Sequence, residues 1–290
     1  MIRITVSREV PMAAAGGLRV RDVTVRFGGL TAVDGARLTA PPGAVTGLIG
    51  PDGAGKTTLY DVIIGLRRPA AGTVHLGDAD LTRSTARERA RRGIALASRR
   101  TGGRAASRTV RETVRAAAAR HAMTRRHAGR TARDRRRRRL DARRDAGLRA
   151  DEVLARVGIE EHADRCARTA PPGVALLAGL ARALAAEPAV LLLDEPWDGL
   201  PVRYARSLEV LLRDLAAEGL AVLVAGRELE PVLGVCDVLH VLDGGRVVAA
   251  GAPAEVRADP LVRDVYPGVT MCRSTAGGVP VPAGLRRTPW

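Results

Sequence analysis

Leu18 and Val20 alternate with Arg19 and Arg21, and beyond Asp22 the apolar positions continue at Val23, Val25 and Phe27. Alternation with period two predicts a half-exposed strand. The apolar set moves from even to odd positions near Asp22, which predicts a bulge or break there. Pro41-Pro42-Gly43 reads as a turn, Ala44 to Ile49 as a short apolar strand, and Thr57 to Leu66 as a helix. Gly72 to Leu76 reads as a further short strand. From about Arg99 to Pro172 the pattern becomes helical and rich in Arg and Ala. Val110 and Val114, and later Leu154 and Val157, are spaced there for one apolar face. A helix around Leu176 to Ala186 then leads into strands at Ala189–Leu193, Leu220–Val224 and Val238–Leu242, with a last strand near Arg246–Ala250. Strands alternating with helices predict an α/β fold with a mostly parallel sheet covered on both faces. The helical stretch, about residues 99–175, reads as a subdomain inserted into that core.

Length and composition refine this picture. The chain has 290 residues, which suits one α/β domain over residues 18–268 with appendages. Residues 1–17 read as an N-terminal extension without the apolar stretch of a signal peptide, and 269–290 as a flexible tail rich in Gly and Pro. Phe27 is the only phenylalanine, so Ala, Val and Leu carry most of the packing. Cys166, Cys236 and Cys272 lie far apart without metal-ligand spacing, which points to a reducing compartment. Arg182 and Glu187 interrupt the longest apolar candidate, Val174 to Leu193, so no membrane-spanning segment is expected. The net charge is +16, and residues 120–144 hold twelve Arg against two Asp. Such a block reads as a solvated helix face. No aromatic residue interleaves its arginines, which counts against a nucleic-acid surface.

The chemistry concentrates in two short stretches. Gly50-Pro51-Asp52-Gly53-Ala54-Gly55-Lys56-Thr57, followed by Thr58, lies between the predicted strand and helix. Glycines in such a loop let backbone N–H groups converge on phosphate oxygens, and the helix N-terminus behind it favours anions. Lys56 supplies a point charge for the β and γ phosphates, and the Thr57 hydroxyl a ligand for Mg²⁺. Arginine so dominates the basic residues that Lys56 is the only lysine in the chain. Its one occurrence falls where a P-loop requires it. The second stretch is Leu191-Leu192-Leu193-Asp194-Glu195-Pro196. An apolar strand ending in carboxylates places Asp194 where it can hold the Mg²⁺ water shell, and Glu195 where it can polarise a water beside the γ-phosphate. The expected cofactors are therefore ATP and Mg²⁺.

Loop, strand and Asp-Glu-Pro together resemble the ABC ATPases. The stretch Phe27-Gly28-Gly29-Leu30-Thr31-Ala32-Val33 resembles the branched-chain (hydrophobic) amino-acid uptake ATPases among them. So do Leu242-Asp243-Gly244-Gly245-Arg246 and Gly251 through Arg257. The similarity spans roughly residues 18–268. It implies a P-loop NTPase of the ABC type, with an antiparallel β portion at the N-terminal end. It further implies an ATPase subunit that energises transport of a small solute, amino acids included, through membrane permease subunits. Such a subunit lies in the cytoplasm, peripheral to the inner face of the cell membrane, and pairs as a homodimer or heterodimer. Phe27 would stack on adenine. Its other reading is a core-facing strand residue in phase with Val23 and Val25.

Three positions depart from the family pattern. Counting from Gly93-Ile94-Ala95, the family's Gln falls on Arg99, which cannot ligate Mg²⁺. The signature loop falls on Ala170-Pro171-Pro172-Gly173-Val174, where Pro171 replaces a serine. Counting back from Cys236-Asp237, the switch histidine falls on Arg227, which retains donors. Binding of ATP is expected to survive these changes better than turnover. The alternative reading is a catalytically weak, ATP-responsive regulatory or assembly subunit paired with a competent ABC ATPase.

Overall fold

The computed structural model describes residues 17–97, 107–125 and 132–266. In chain order the strands are β1 (Leu18–Phe27), β2 (Leu30–Ala40), β3 (Val45–Ile49), β4 (Ala71–Leu76), β5 (Ala79–Asp80), β6 (Ile94–Ala97), β7 (Val190–Asp194), β8 (Ala221–Gly226), β9 (Val238–Asp243) and β10 (Arg246–Gly251). The helices are α1 (Lys56–Ile64), α2 (Ala86–Arg91), α3 (Val110–Arg125), α4 (Ala132–Val157), α5 (Pro172–Leu184), α6 (Val202–Ala217), α7 (Leu229–Leu233), α8 (Pro253–Ala258) and α9 (Pro260–Val265).

Two sheets result. β2-β1-β4-β5 is antiparallel, while the larger sheet runs β10-β9-β3-β8-β7-β6. Its five strands from β9 to β6 are mutually parallel, and β10 joins as an antiparallel edge. Alternation along each central strand sends side chains to opposite faces. Leu191 and Leu193 of β7 and Val222 and Val224 of β8 enter a core shared with α3 to α7. Leu192, Leu223 and Ala225 enter a second core with α1 and the antiparallel sheet. Burial on both faces explains why these strands read as unbroken apolar runs.

Several sequence expectations are met with shifted ends. The break near Asp22 is present: Asp22 has φ 50°, and the pairing with β2 changes register between Val20 and Val23. Helix α1 ends at Ile64 because Gly65 turns left-handed at φ 81°. Helix α5 begins at Pro172, four residues before the expected start, since proline suits the first helical turn. Val110, Val114, Leu154 and Val157 are all buried where α3, α4 and α5 pack together.

Other elements escape the period-two reading. In β2 the core-facing positions Ala36, Leu38 and Ala40 include two alanines, a weak signal. Helix α6 buries Leu208, Leu211, Leu212 and Leu215, a clear i, i+3, i+4, i+7 stripe in plain view of the sequence.

Buried polar groups sit at the joints between layers. Arg89 of α2 is 1% exposed, and its guanidinium donates to the carbonyls of Val62 and Ile63 at 2.6 and 2.8 Å. It also reaches the carbonyls of Ser84 and Thr82. The last carbonyls of α1, which have no intrahelical donor, are thus satisfied by a side chain. Burial pushes the Arg89 guanidinium pKa down from its usual value, and Asp80 acts against that shift.

His240 of β9 is 4% exposed, and neither ring nitrogen completes a hydrogen bond of good geometry. Burial pushes its pKa down to about 4, with the Thr39 backbone acting weakly in the opposite direction. The unfolded chain therefore binds more protons than the folded one between pH 4 and 6.5, so stability falls as pH falls through that window. From pH 7 to 5 this residue alone is expected to remove about 2 kcal/mol of stability. Urea unfolding of His240→Leu should show a pH slope shallower by that amount. An unchanged slope would mean that the imidazole finds a partner in the folded state.

Candidate nucleotide site

The C-terminal ends of the parallel strands share one edge, and the expected site residues leave from three of them. Strand β3 runs into the glycine loop, β7 ends on Asp194, and β8 ends on Gly226, immediately before Arg227. Strand β3 lies between β8 and β9, while the chain leaves it for α1 and the antiparallel sheet. Ligands in open α/β sheets bind beyond the strand ends at such a change of direction.

The loop is held from both sides. Gly50 N–H donates to the Gly226 carbonyl at 3.3 Å, and Gly245 N–H donates to the Ala54 carbonyl at 3.0 Å. A Cβ at Gly50 would stand 2.2 Å from the Leu242 carbonyl oxygen. At Gly55 it would stand 2.5 Å from the Ala32 oxygen, on a backbone with φ 104°. Glycine is required at both, by close approach and in the second case by conformation as well. Gly55 is the N-cap of α1, and no side chain caps that helix. Its first N–H groups thus remain directed at the loop, as anion binding demands.

Lys56 is 6% exposed, and its Nζ donates to the carbonyls of Gly50 and Pro51 at 2.8 and 3.0 Å. The ammonium also lies 4.0 Å from Glu195 Oε1. One compact cation therefore ties the loop to the end of β7. The loop, its exposed helix N-terminus and this ammonium fit the triphosphate of a nucleotide.

Asp194 and Glu195 are both half-buried. Burial, then the charge of Glu195, and more weakly Asp61, raise the Asp194 carboxyl pKa, while Lys56 opposes them. Asp194 and Glu195 thus bring two adjacent carboxylates to the side of one ammonium, and carboxylate oxygens are the ligands that Mg²⁺ takes. Thr57 is exposed on the first turn of α1, and Thr58 is half-buried beside it.

Glu195 has φ 45°, although a residue before proline is ordinarily extended. Its N–H is held by the Ala225 carbonyl at 2.9 Å, and its carbonyl accepts from Asp198 N–H at 3.2 Å. This left-handed turn costs about 1–3 kcal/mol, and such strain concentrates at functional sites.

Two residues were not singled out from the sequence. The Tyr60 hydroxyl, buried in α1, lies 3.1 Å from the Leu193 carbonyl and 2.9 Å from the Leu223 carbonyl. It fastens the loop helix to the strand ends that carry the acidic residues. Burial, then the Asp194 charge, push its phenol pKa well up, so it stays a donor. Its position facing the core three residues after Thr57 was the available signal. Asp198 pairs with Arg227 at 3.4 Å. The Asp198-Gly199 pair, separated from the acidic pair only by Pro196 and Trp197, was the hint for this one.

The remaining expectations divide. Phe27 is 42% exposed, with the Arg67 guanidinium carbon 4.1 Å from its ring centroid. The core-facing reading is therefore corrected. A register shift between Val25 and Arg26 takes Phe27 out of phase with the buried Val23 and Val25. Arg99 lies outside the described residues, beyond the end of β6, as do residues 126–131 of the Arg-rich segment 120–144, whose remainder falls on α3 and α4. Pro171 is the N-cap of α5 and Pro172 its first residue, so two of the four N–H groups at that helix start are missing. The start of α5 rests on α6: a Cβ at Gly173 would be 3.3 Å from both Pro201 and Tyr204.

The description of the ABC transporter family matches residues 33–198, which carry the loop and both carboxylates. This chain belongs to the ABC transporter family. It is an ABC-type ATPase built as an α/β P-loop cassette. The branched-chain amino-acid transport ATP-binding protein LivG of Escherichia coli K12 is 32% identical over 254 residues, covering 87% of this chain and 97% of LivG. The lipopolysaccharide export ATP-binding protein LptB of Acidithiobacillus ferridurans is 30% identical, covering 78% and 86%. Among solved structures, the ADP conformation of MJ1267, an ATP-binding cassette of an ABC transporter, superimposes with TM-score 0.72 at 25% identity. That match covers 88% of this chain and 100% of the other. No helix among the described residues of this ABC ATPase is long and apolar enough to cross a membrane.

Proposed function

We propose that this ABC ATPase energises transport of a small solute through partner membrane subunits, and that its hydrolysis is slowed by altered motifs. The observation that carries this reading is the meeting of Lys56, Asp194 and Glu195 at one sheet edge while two prolines open α5. Residues 18–268 form the nucleotide-binding cassette in this reading. The loop Gly50–Thr58 binds the phosphates of ATP, and Phe27 offers adenine the ring face that Arg67 leaves uncovered. Thr57 and Asp194 hold Mg²⁺, which supplies charge neutralisation on the phosphates. Glu195 takes a proton from the attacking water, and Lys56 stays on the phosphates throughout. Similarity to LivG supports amino acids as the solute class. The subunit works as a pair, on the inner face of the membrane against its permease.

In the paired family arrangement, each ATP is closed by the partner's helix corresponding to α5. Pro171 and Pro172 offer that site two fewer backbone donors and no serine hydroxyl. Losing one pre-organised donor costs about 10²–10³ in rate. A homodimer carries the defect twice, whereas a competent partner would spare this chain's own loop. That favours a second reading, an ATP-responsive regulatory subunit beside an active ATPase.

The double change Pro171→Ser, Pro172→Gly decides between impaired and intact catalysis. In a steady-state phosphate-release assay at saturating Mg-ATP it should raise turnover by about tenfold or more. Wild-type turnover already at the rate of the double variant would discard the idea of slowed hydrolysis.

A further inference from the structure

We propose that the paired ends of α3 and α4 form a basic prong that rests on an anionic phospholipid surface. The inference goes beyond the nucleotide chemistry, but it rests on the membrane-facing placement proposed above. Helix α4 has two unlike halves. From Asp145 to Val157 it buries Ala146, Ala150, Val153, Leu154 and Val157 in the core shared with α3 and α5. The arginines of that half are matched: Arg149 lies 2.9 Å from Glu152, and Arg156 pairs with Glu218.

Residues 132–144, in contrast, carry eight Arg against two Asp. The seam of small residues reaches back to the buried Ala142. Three and four positions before it stand Arg139 and Arg138, which cannot take an alanine's place in a core. Arg135 to Arg139 are consecutive, and at about 3.6 residues per turn they sweep round the whole helix. No face of this stretch is apolar, so about 15 Å of helix, from Ala132 to Asp141, continues past the seam.

Helix α3 brings further charge to the same end. It packs along α4 and ends at Arg125, and α4 begins at Ala132. Its last buried position among the described residues is Ala118, and Arg120 is exposed just beyond. Burial, and then the charge of Arg120, push down the guanidinium pKa of the neighbouring Arg182 in α5. Glu187 meets His121 there at 3.5 Å. Like charges three and four positions apart repel along a helix, and an anionic surface relieves that repulsion. What accompanies the charge favours lipid over nucleic acid. No aromatic residue occurs between positions 107 and 157 to stack on bases. Met123, near the end of α3, is 57% exposed and suits the boundary between headgroups and acyl chains.

Sedimentation of the full chain with vesicles at about 0.1 M salt tests the idea. The wild-type chain should sediment with vesicles containing phosphatidylglycerol and not with phosphatidylcholine alone. Arg135→Gln, Arg136→Gln, Arg137→Gln, Arg138→Gln and Arg139→Gln made together should weaken that binding by about 100-fold or more, each basic residue contributing roughly fivefold. Lysine at the same five positions should keep most of it, with ATP affinity unchanged in both variants. Equal binding to both vesicles overturns the inference, as does wild-type binding by the glutamine variant. A lysine variant that fails like the glutamine one, or a parallel loss of ATP affinity, marks a structural role and overturns it too. Tighter binding to a short DNA duplex than to the anionic vesicles would assign the prong to nucleic acid instead. The vesicles contain no permease, so their failure to bind the wild-type chain overturns this contact alone. Absence of the chain from the membrane fraction of its own cells would overturn the placement on which it rests.

Discussion

Lys56→Met is expected to weaken Mg-ATP binding by about 100-fold or more, with the fold intact. Methionine preserves the buried stem, so what is lost is the charge. Without nucleotide, the ammonium is occupied by the Gly50 and Pro51 carbonyls and by Glu195 nearby. Those contacts hold it in the recess where phosphate oxygens would take over. Arg in its place should fail nearly as badly, although the rest of the chain uses arginine for its basic positions. A planar fork is larger than an ammonium and does not reproduce a compact donor set between two loop carbonyls. Equilibrium titration with a fluorescent ATP analogue reads the loss, and circular dichroism checks the fold. Binding within threefold of wild type would remove Lys56 from the phosphate site.

Glu195→Gln should divide the outcome the other way. Turnover is expected to drop by about 10²–10³, the usual contribution of a positioned general base, while ATP binding is kept or tightened. The amide keeps the size and the strained backbone but cannot accept the proton. Removing one of two adjacent negative charges also relieves Asp194, whose carboxyl pKa the Glu195 charge raises. Single-turnover hydrolysis with radiolabelled ATP separates the two effects. A variant that hydrolyses at the wild-type rate would move the proton acceptor elsewhere. The two substitutions together give a signature that neither gives alone, since one removes binding and the other removes chemistry after binding.

Much of this site could be read from residue order because its parts are contiguous. A glycine loop between strand and helix, and an apolar strand ending in Asp-Glu, are local patterns whose chemistry survives translation into three dimensions. The central strands were legible for the same reason, their burial on both faces leaving unbroken apolar runs. What stayed hidden depends on pairs distant in sequence. Arg89 could not be distinguished from Arg87, Arg91 and Arg92, yet it alone among them is buried, because the end of α1 comes to meet it. The contact of Arg227 with Asp52 spans most of the core. The left-handed Glu195 contradicts its local rule, since it precedes a proline, and only the ladder to Ala225 imposes it. Phe27 was readable as an aromatic on a strand but not as an exposed one. The bulge that reverses its phase is set by pairing with β2, whose alanines carry little pattern.

A single, buried lysine has an experimental consequence. Reductive ¹³C-methylation or amine-selective acylation of this protein can modify only the chain's α-amino end and Lys56. The first is a reference and the second sits inside the phosphate recess. One side-chain resonance therefore belongs to the nucleotide site without any assignment experiment. Its rate of labelling becomes a clock for how often that recess opens to solvent, with and without nucleotide.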